Sequence, residues 1–393
     1  MATEGAAAEP SPGPTAFTCR SGASPPADGF AELDEATAGR LDRAIRKVMD
    51  EAELPGVIAG VRAPGKGDYV RAFGTADKAT GAPMATDLNM RIGSVTKTFT
   101  VTALLKLVDE GRVALDDTVG RYVAGVPNGD RITLRDLAGM RSGLFNYSED
   151  EDFFKALTTD PERPFTPREL LDYSFRHPVR FEPDARFEYS NTNLILVGLV
   201  VERVSGTDLD RYVQQHILTP HELTRTSFPT GAEFPAPHAQ GYTDQTADGR
   251  EENATDWNPS WGWAAGAMIS DLADLRRWAP LLATGHGLVS DRTQRERLTL
   301  HPTTVPDVGY GLGIFMVRGW VGHNGSLPGY EALTLYLCEQ RATMVVLVNT
   351  DTGHGQQEPS TLVGEAITEI VSPGHVYDLP QPGPPSKSPS PGG

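Results

Sequence analysis

The chain has 393 residues, ample for a large core and for two domains or one domain with an insertion. Its 39% hydrophobic and 22% charged residues are ordinary for a globular protein. A formal charge of -17 argues against non-specific nucleic-acid binding and against adsorption to anionic lipid, so neither nucleic acid nor membrane is expected as a partner.

No apolar run is long enough to span a bilayer. Met1-Ala-Thr-Glu-Gly-Ala-Ala-Ala-Glu-Pro10 has no basic start and no apolar core, so no signal peptide is read there. A cytoplasmic protein is expected, with a mature secreted form as the alternative. Residues 1–28, rich in Ala, Pro, Gly and Ser, are expected to form a disordered tail, and so are residues 373–393. Cys19 and Cys338 lack metal-site spacing. With Cys19 in a tail, two free thiols in a reducing compartment are expected.

Leu33 to Glu53 reads as an amphipathic helix with Leu41, Ile45 and Val48 on its apolar face. Gly56–Arg62 and Asp68–Gly74 read as two strands joined by a Pro/Gly turn. A buried helix then starts at Ser94, covered by Val95, Phe99, Val101, Leu104 and Leu105 and stopped at Gly111. From Thr133 to Arg277 the pattern is mostly helical. Thr133 and Thr166 are read as caps, Asn193 to Val204 as an apolar helix, and Ser270 as the cap of a helix to Ala283. Val308–Arg318, Gly319–Gly325, Ala332–Cys338 and Thr343–Asn349 read as four antiparallel strands, and Glu358–Val371 as a closing helix. The expected fold is α/β (α+β): an antiparallel sheet flanked by helices and built from both termini. Residues 29–104 and 262–372 would form the sheet domain, and 105–261 an inserted, mostly helical one. A cleft between them is the default site.

Three short patterns carry chemistry. Ser94 and Lys97 share one helix face, a nucleophile with a proton acceptor one turn on. The same spacing also fits a helix cap with an incidental lysine. Tyr189 and Asn191 alternate before the apolar helix, so a phenol and an amide can reach one space, although a polar turn with Asn191 as N-cap has the same residues. Gly322-His323-Asn324-Gly325-Ser326 ends a strand, where Gly325 allows close backbone approach and the Ser326 amide could donate to an oxyanion. A hairpin turn with a surface histidine is the plainer reading of that stretch.

In this order and spacing the three patterns resemble the serine penicillin-recognising enzymes. The similar branch holds class C β-lactamases, a secreted DD-carboxypeptidase, esterases and D-amino-acid amidases. Arg91-Ile-Gly-Ser-Val-Thr-Lys97, Arg141-Ser-Gly-Leu144, Tyr189-Ser-Asn-Thr-Asn193, Ser260-Trp-Gly-Trp263 and Tyr310-Gly-Leu-Gly313 add to the resemblance, which covers residues 30 to 372. It implies that Ser94 forms an acyl-enzyme while Lys97 and Tyr189 move its proton. It implies an oxyanion hole at the amides of Ser94 and Ser326. It implies that Asn191 orders Lys97 and the substrate, that His323 supplies polar or positive character beside Tyr189, and that Trp261 walls the cleft, unless it is a core tryptophan. Asn324 stands where a threonine is usual. No metal or cofactor is implied.

One departure bears on substrate. Where the carboxypeptidase carries an arginine for its substrate's terminal carboxylate, this chain has Phe315, with Arg318 three residues on. Losing a charge-assisted carboxylate contact disfavours D-alanyl-D-alanine carboxypeptidase and class C-like β-lactamase chemistry, which stay as the alternative enzymes. The expectation is therefore acyl transfer from a small-molecule ester or amide lacking a free carboxylate, to an amine acceptor or to water. A transacylase of antibiotic biosynthesis fits that setting. A module that acylates and does not turn over is the non-enzymatic alternative.

Overall fold

The computed structural model describes residues 13–19, 32–63, 65–355 and 357–379. Ten strands form one sheet: β1 (Thr15–Ala16), β2 (Gly56–Ala63), β3 (Gly67–Asp77), β4 (Ala82–Pro83), β5 (Thr299–Pro302), β6 (Val308–Tyr310), β7 (Phe315–Val317), β8 (Trp320–Leu327), β9 (Tyr330–Leu337) and β10 (Ala342–Val348). Their spatial order is β1-β5-β6-β7-β8-β9-β10-β2-β3-β4. Every pairing is antiparallel, including the one that sets Val345 of β10 opposite Gly60 of β2. Chain from near both termini therefore meets in mid-sheet, as the sequence pattern implied.

Five helices matter for the site: α1 (Glu35–Glu51), α2 (Thr96–Asp109), α3 (Asn191–Ser205), α4 (Leu272–Thr284) and α5 (Pro359–Val371). Strands β9 and β10 are buried at every position, which requires cover on both faces. Gly364 of α5 packs against Leu333 and Met344, and Gly60 packs against Leu272 and Arg276 of α4. Leu333 and Met344 share one face of the pleat, whereas Val345 and its partner Gly60 share the other. Thus α5, with α1 beside it, covers one face and α4 the other.

Helix α2 is the buried spine. Phe99 stacks on Trp278 of α4 with ring centroids 4.0 Å apart, and the Trp278 indole N–H donates to Thr98 Oγ1 (2.9 Å). Its far side packs against α3. Buried threonines sit between the apolar residues of α2, and each hydroxyl has a partner: Thr100 donates to the Ala264 carbonyl (2.7 Å), and Thr102 accepts from Arg297 (2.6 Å). Such satisfaction is what makes polar burial tolerable.

Several expectations need correction. Val308–Arg318 is not one strand. It breaks into β6 and β7 at Gly311–Gly313, where Gly313 takes φ +68° tight against Val101. Asp271, not Ser270, caps α4, its carboxylate accepting from the Asp274 amide (2.9 Å). Ser94 lies in a 3-10 turn, Gly93–Val95, that leads into α2. The two tails are in part ordered. Residues 13–19 supply β1, which pairs with β5 at one sheet edge, and Tyr377 of the C-terminal stretch is fully buried. Residues 1–12, 20–28 and 380–393 lie outside the described residues.

The cysteines are not free thiols: Cys19 and Cys338 form a disulfide across a sequence separation of 319 residues. A crosslink over so long a loop restricts the unfolded chain, worth on the order of 2–4 kcal/mol. Reduction, or Cys338→Ala, is expected to lower the melting temperature by several degrees while turnover at 25 °C persists. Thermal unfolding with and without dithiothreitol, paired with an activity assay, checks this; an unchanged melting temperature contradicts it. Among the described residues no helix is long and apolar enough to cross a membrane.

Candidate active site

Ser94, Lys97 and Tyr189 come together as one hydrogen-bonded group. Lys97 Nζ lies 2.8 Å from Ser94 Oγ, and the Tyr189 hydroxyl donates to that same oxygen at 2.9 Å. Lys97 is fully buried, and its Nζ also donates to the Ala265 carbonyl at 2.7 Å. Burial strips water from the ammonium and pushes its pKa well below the usual lysine value. Burial raises the Tyr189 pKa, so this phenol keeps its proton. An amine whose burial favours the neutral form and a phenol whose burial favours the protonated form therefore flank one serine hydroxyl.

Two glycines let the serine turn and strand β8 touch. A Cβ on Gly93 would fall 2.7 Å from the Ser326 nitrogen, and a Cβ on Gly325 only 2.0 Å from the Ile92 carbonyl oxygen and 2.8 Å from the Ser94 nitrogen. Gly93 also holds φ +50°, which side chains rarely adopt. The backbones of Ser94 and Ser326 thus lie side by side, the arrangement an oxyanion site needs.

Strand β7 covers only Trp320–Gly322 of β8. Past that point the margin of β8 borders a cavity of about 410 Å³. Ser94, Tyr189, Asn191, Phe315, His323, Asn324, Gly325 and Ser326 all line it. Phe315 is buried, with its ring centroid 5.3 Å from that of His323. Arg318 does not line this cavity. It sits exposed past the end of β7 and, with Arg141 and Arg186, lines an adjoining groove that shares Phe187 and Thr303–Val305 with it.

His323 is 2% exposed. Its Nδ1 lies 2.5 Å from the Asn324 carbonyl, and a carbonyl only accepts, so Nδ1 carries the proton. Nε2 then accepts from the Tyr310 hydroxyl at 3.1 Å. Burial, with Lys97 nearby, pushes the imidazole pKa down to about 3. His323 is therefore neutral at working pH and brings polarity, not the positive charge considered above.

Two other assignments change. Asn191 does not reach Lys97; its side-chain amide donates to Ser148 Oγ (3.1 Å), and the Ala265 carbonyl takes the place expected of it. Nor is it the cap of α3: its backbone amide donates to Asn146 Oδ1 (3.0 Å), which leaves its own side chain for the cavity. Trp261 does not line the cavity. It packs near Phe153 at 6.0 Å between ring centroids, and its carbonyl accepts the Tyr147 hydroxyl (2.6 Å). Among the lining residues without a sequence signal are Asn146, Ser148 and Glu358. The first two lie in a loop without periodicity, and Glu358 reads only as the start of a helix.

A serine held between a buried lysine and a phenol, beside a β-strand margin, defines a serine hydrolase of the penicillin-recognising type. The "Beta-lactamase" family model matches residues 41–366, and the chain belongs to that family. A D-stereospecific amidohydrolase from Streptomyces is 30% identical, covering 86% of this chain and 98% of that one with TM-score 0.74. D-amino acid amidase from Ochrobactrum anthropi, complexed with L-phenylalanine amide, is 27% identical over 86% of this chain and 96% of that one with TM-score 0.75. The protein flp of Staphylococcus aureus is 25% identical over 347 residues, 85% of this chain. The chain spans 66% of the length of that relative.

Proposed function

We propose that the protein forms an acyl-enzyme at Ser94 from a small amide or ester that lacks a free terminal carboxylate, and passes the acyl group to water or to an amine. One observation carries this reading: Phe315 lines the cavity beside Ser94, and no lysine or arginine lines it among the described residues. The names of the two amidohydrolase neighbours agree with an amide substrate. A D-alanyl-D-alanine carboxypeptidase or a β-lactamase would need a cation for its substrate's carboxylate.

In this scheme neutral Lys97 takes the Ser94 proton as Oγ attacks the carbonyl carbon. The oxyanion forms against the Ser94 and Ser326 amides. Tyr189, kept protonated, gives its proton to the leaving amine or alkoxide and regains one from Lys97. The C–N or C–O bond breaks and the acyl group stays on Oγ. Water or an amine then attacks the acyl carbon, loses a proton to the Lys97–Tyr189 pair, and frees Ser94.

Transfer to an amine, as amide-forming antibiotic biosynthesis requires, is the finer reading. The carboxylate of Glu358 on the cavity wall favours an amine in the site. The test is an assay on D-phenylalanine amide and on a neutral aryl ester, with and without a panel of primary amines. Turnover of both substrates is expected, with amide product rising with amine concentration. Efficient release of terminal D-alanine from an acyl-D-alanyl-D-alanine peptide, with esters and amides ignored, would overturn the reading. A stable adduct without product would make the protein a non-turnover module. The Cys19–Cys338 disulfide favours an oxidising compartment and so the secreted alternative.

A further inference from the structure

Beside the Ser94 cavity runs a larger groove of about 1060 Å³. The two share Phe187, Thr303, Thr304, Val305 and Val308, so they are contiguous. Three guanidiniums line the groove from three separate stretches of chain: Arg141, Arg186 shortly before Tyr189, and Arg318 at the turn between β7 and β8. Among the described residues one carboxylate, Asp307, lines it. His301 adds no charge at neutral pH, because burial lowers its pKa. In a chain of formal charge -17 such a lining departs from the balance of the whole.

Each arginine is placed so that it can still donate. Arg141 Nε donates to Asp184 Oδ1 (2.7 Å), and Arg186 Nη2 donates to Glu188 Oε2 (2.8 Å). Neither carboxylate lines the groove. These bonds orient two guanidinium planes and use only part of the N–H groups on each. Arg318 has no ion pair among the described residues. It stands exposed in the two-residue turn Arg318-Gly319, where both residues hold positive φ (+47° and +91°) and asparagine is the usual first residue. His375 Nδ1 donates to the Arg318 carbonyl at 2.9 Å and fixes that turn. Gly13–Thr15 add a further wall, pinned by the pairing of β1 with β5 and by the Cys19–Cys338 disulfide.

Two stretches of chain measure the distance from this charge to the chemistry. Arg186 precedes Tyr189 by three residues, and Arg318 follows Phe315 by three. At an extended rise of about 3.3 Å per residue, each separation spans at most ~10 Å. We infer that the groove is a remote subsite for an anionic group, a phosphate or a carboxylate, that the substrate carries about three extended residues' length from its scissile carbonyl. This rests on the acyl-enzyme reading and deepens it. The planar fork of arginine suits either anion through paired N–H donors. The Ser94 cavity takes the uncharged part of the substrate, and Val308 and Met316 line the path of the spacer.

The test compares wild type with the double variant Arg186→Gln/Arg318→Gln on aryl esters and thioesters. Three esters carry a spacer of about three extended residues that ends in a phosphate, a carboxylate or a neutral amide. A short neutral ester and an unspaced carboxylate ester complete the set. Two series place the spacer on the acyl group and on the leaving group. In one series wild type is expected to favour a spaced anion over the spaced amide about ten-fold in kcat/KM, chiefly through KM, the effect of one charge-assisted hydrogen bond. The preference is expected to vanish in the double variant and to weaken at raised ionic strength, while the short neutral ester turns over unchanged. The better of phosphate and carboxylate identifies the source of the anion. No preference in either series, an equal preference for the unspaced carboxylate, or a preference that survives in the double variant overturns the inference. If wild type leaves the short neutral ester untouched, or Ser94→Ala turns it over equally, the acyl-enzyme reading itself has failed. Calorimetric titration with the spacer phosphate alone then decides the subsite: tighter binding to wild type than to the double variant supports it, and equal binding overturns it.

Discussion

Ser94→Ala is expected to remove at least ~10⁴-fold of kcat/KM on a neutral aryl ester and all covalent adduct in intact-mass spectra. The hydroxyl is the sole attacking group held by both Lys97 and Tyr189, at 2.8 and 2.9 Å. Lys97→Ala and Lys97→Arg are expected to be nearly as damaging, by ~10³-fold or more. The arginine result separates chemistry from packing, because a guanidinium keeps a positive charge but cannot accept a proton. The pH profile follows with a definite sign. Lys97 must be unprotonated to act, so the rate rises with pH as it loses its proton. Burial lowers that pKa, so the rising limb falls well below the ordinary lysine value of 10.5. Tyr189 is raised, so the rate is not lost on the alkaline side through this phenol. Stopped-time assays across pH read both limbs, and a rising limb centred at 10.5 would sink the assignment of Lys97 as base.

Gly325→Ala is expected to cost at least ~10²-fold in kcat with a lowered melting temperature. The added methyl would meet backbone on both sides, the Ile92 carbonyl at 2.0 Å and the Ser94 nitrogen at 2.8 Å. Neither can rotate away as a side chain would. Strand β8 or the Gly93–Val95 turn must shift, and the Ser94 and Ser326 amides proposed to hold the oxyanion would separate. Removing one such donor alone costs about 10²–10³-fold in comparable sites. Parallel measurement of kcat and of thermal unfolding distinguishes this from simple misfolding, since a folded but slow enzyme is expected. Wild-type turnover would show that the contact is not needed.

What could be read from the chain divides along physical lines. Ser94 with Lys97, and the glycine of the His323-Asn-Gly325 stretch, were legible because local geometry fixes them. One helical turn joins the first pair, and a close backbone approach demands the glycine. The two-ended sheet was legible for the same reason, as β9 and β10 are short, largely apolar runs with clear ends. Contacts that close over long separations were not. Cys19 meets Cys338 only because β1, a two-residue strand in a Pro/Gly/Ser-rich stretch, finds the free edge of β5. Asn191 was expected at Lys97, but the loop bearing Asn146 and Ser148 intervenes through hydrogen bonds that no spacing encodes. Glu358 lay hidden because a helix N-cap and a cavity wall look alike in sequence. His323 was legible as a site residue but not as a neutral one, since its charge is set by burial and by Tyr310.

The half-covered strand β8 has a bearing on handedness. Beyond Gly322 its margin borders the cavity, where an extended substrate can lie as an added strand. Successive side chains of β8 then offer different walls: His323 and Gly325 toward the nucleophile, Asn324 toward Glu358. A stereocentre next to the carbonyl must point its substituent to one wall or the other. Inverting it moves the substituent from the His323 wall to the Asn324 wall. Chiral discrimination would then come from the alternation of a single strand, with no separate binding pocket for each enantiomer.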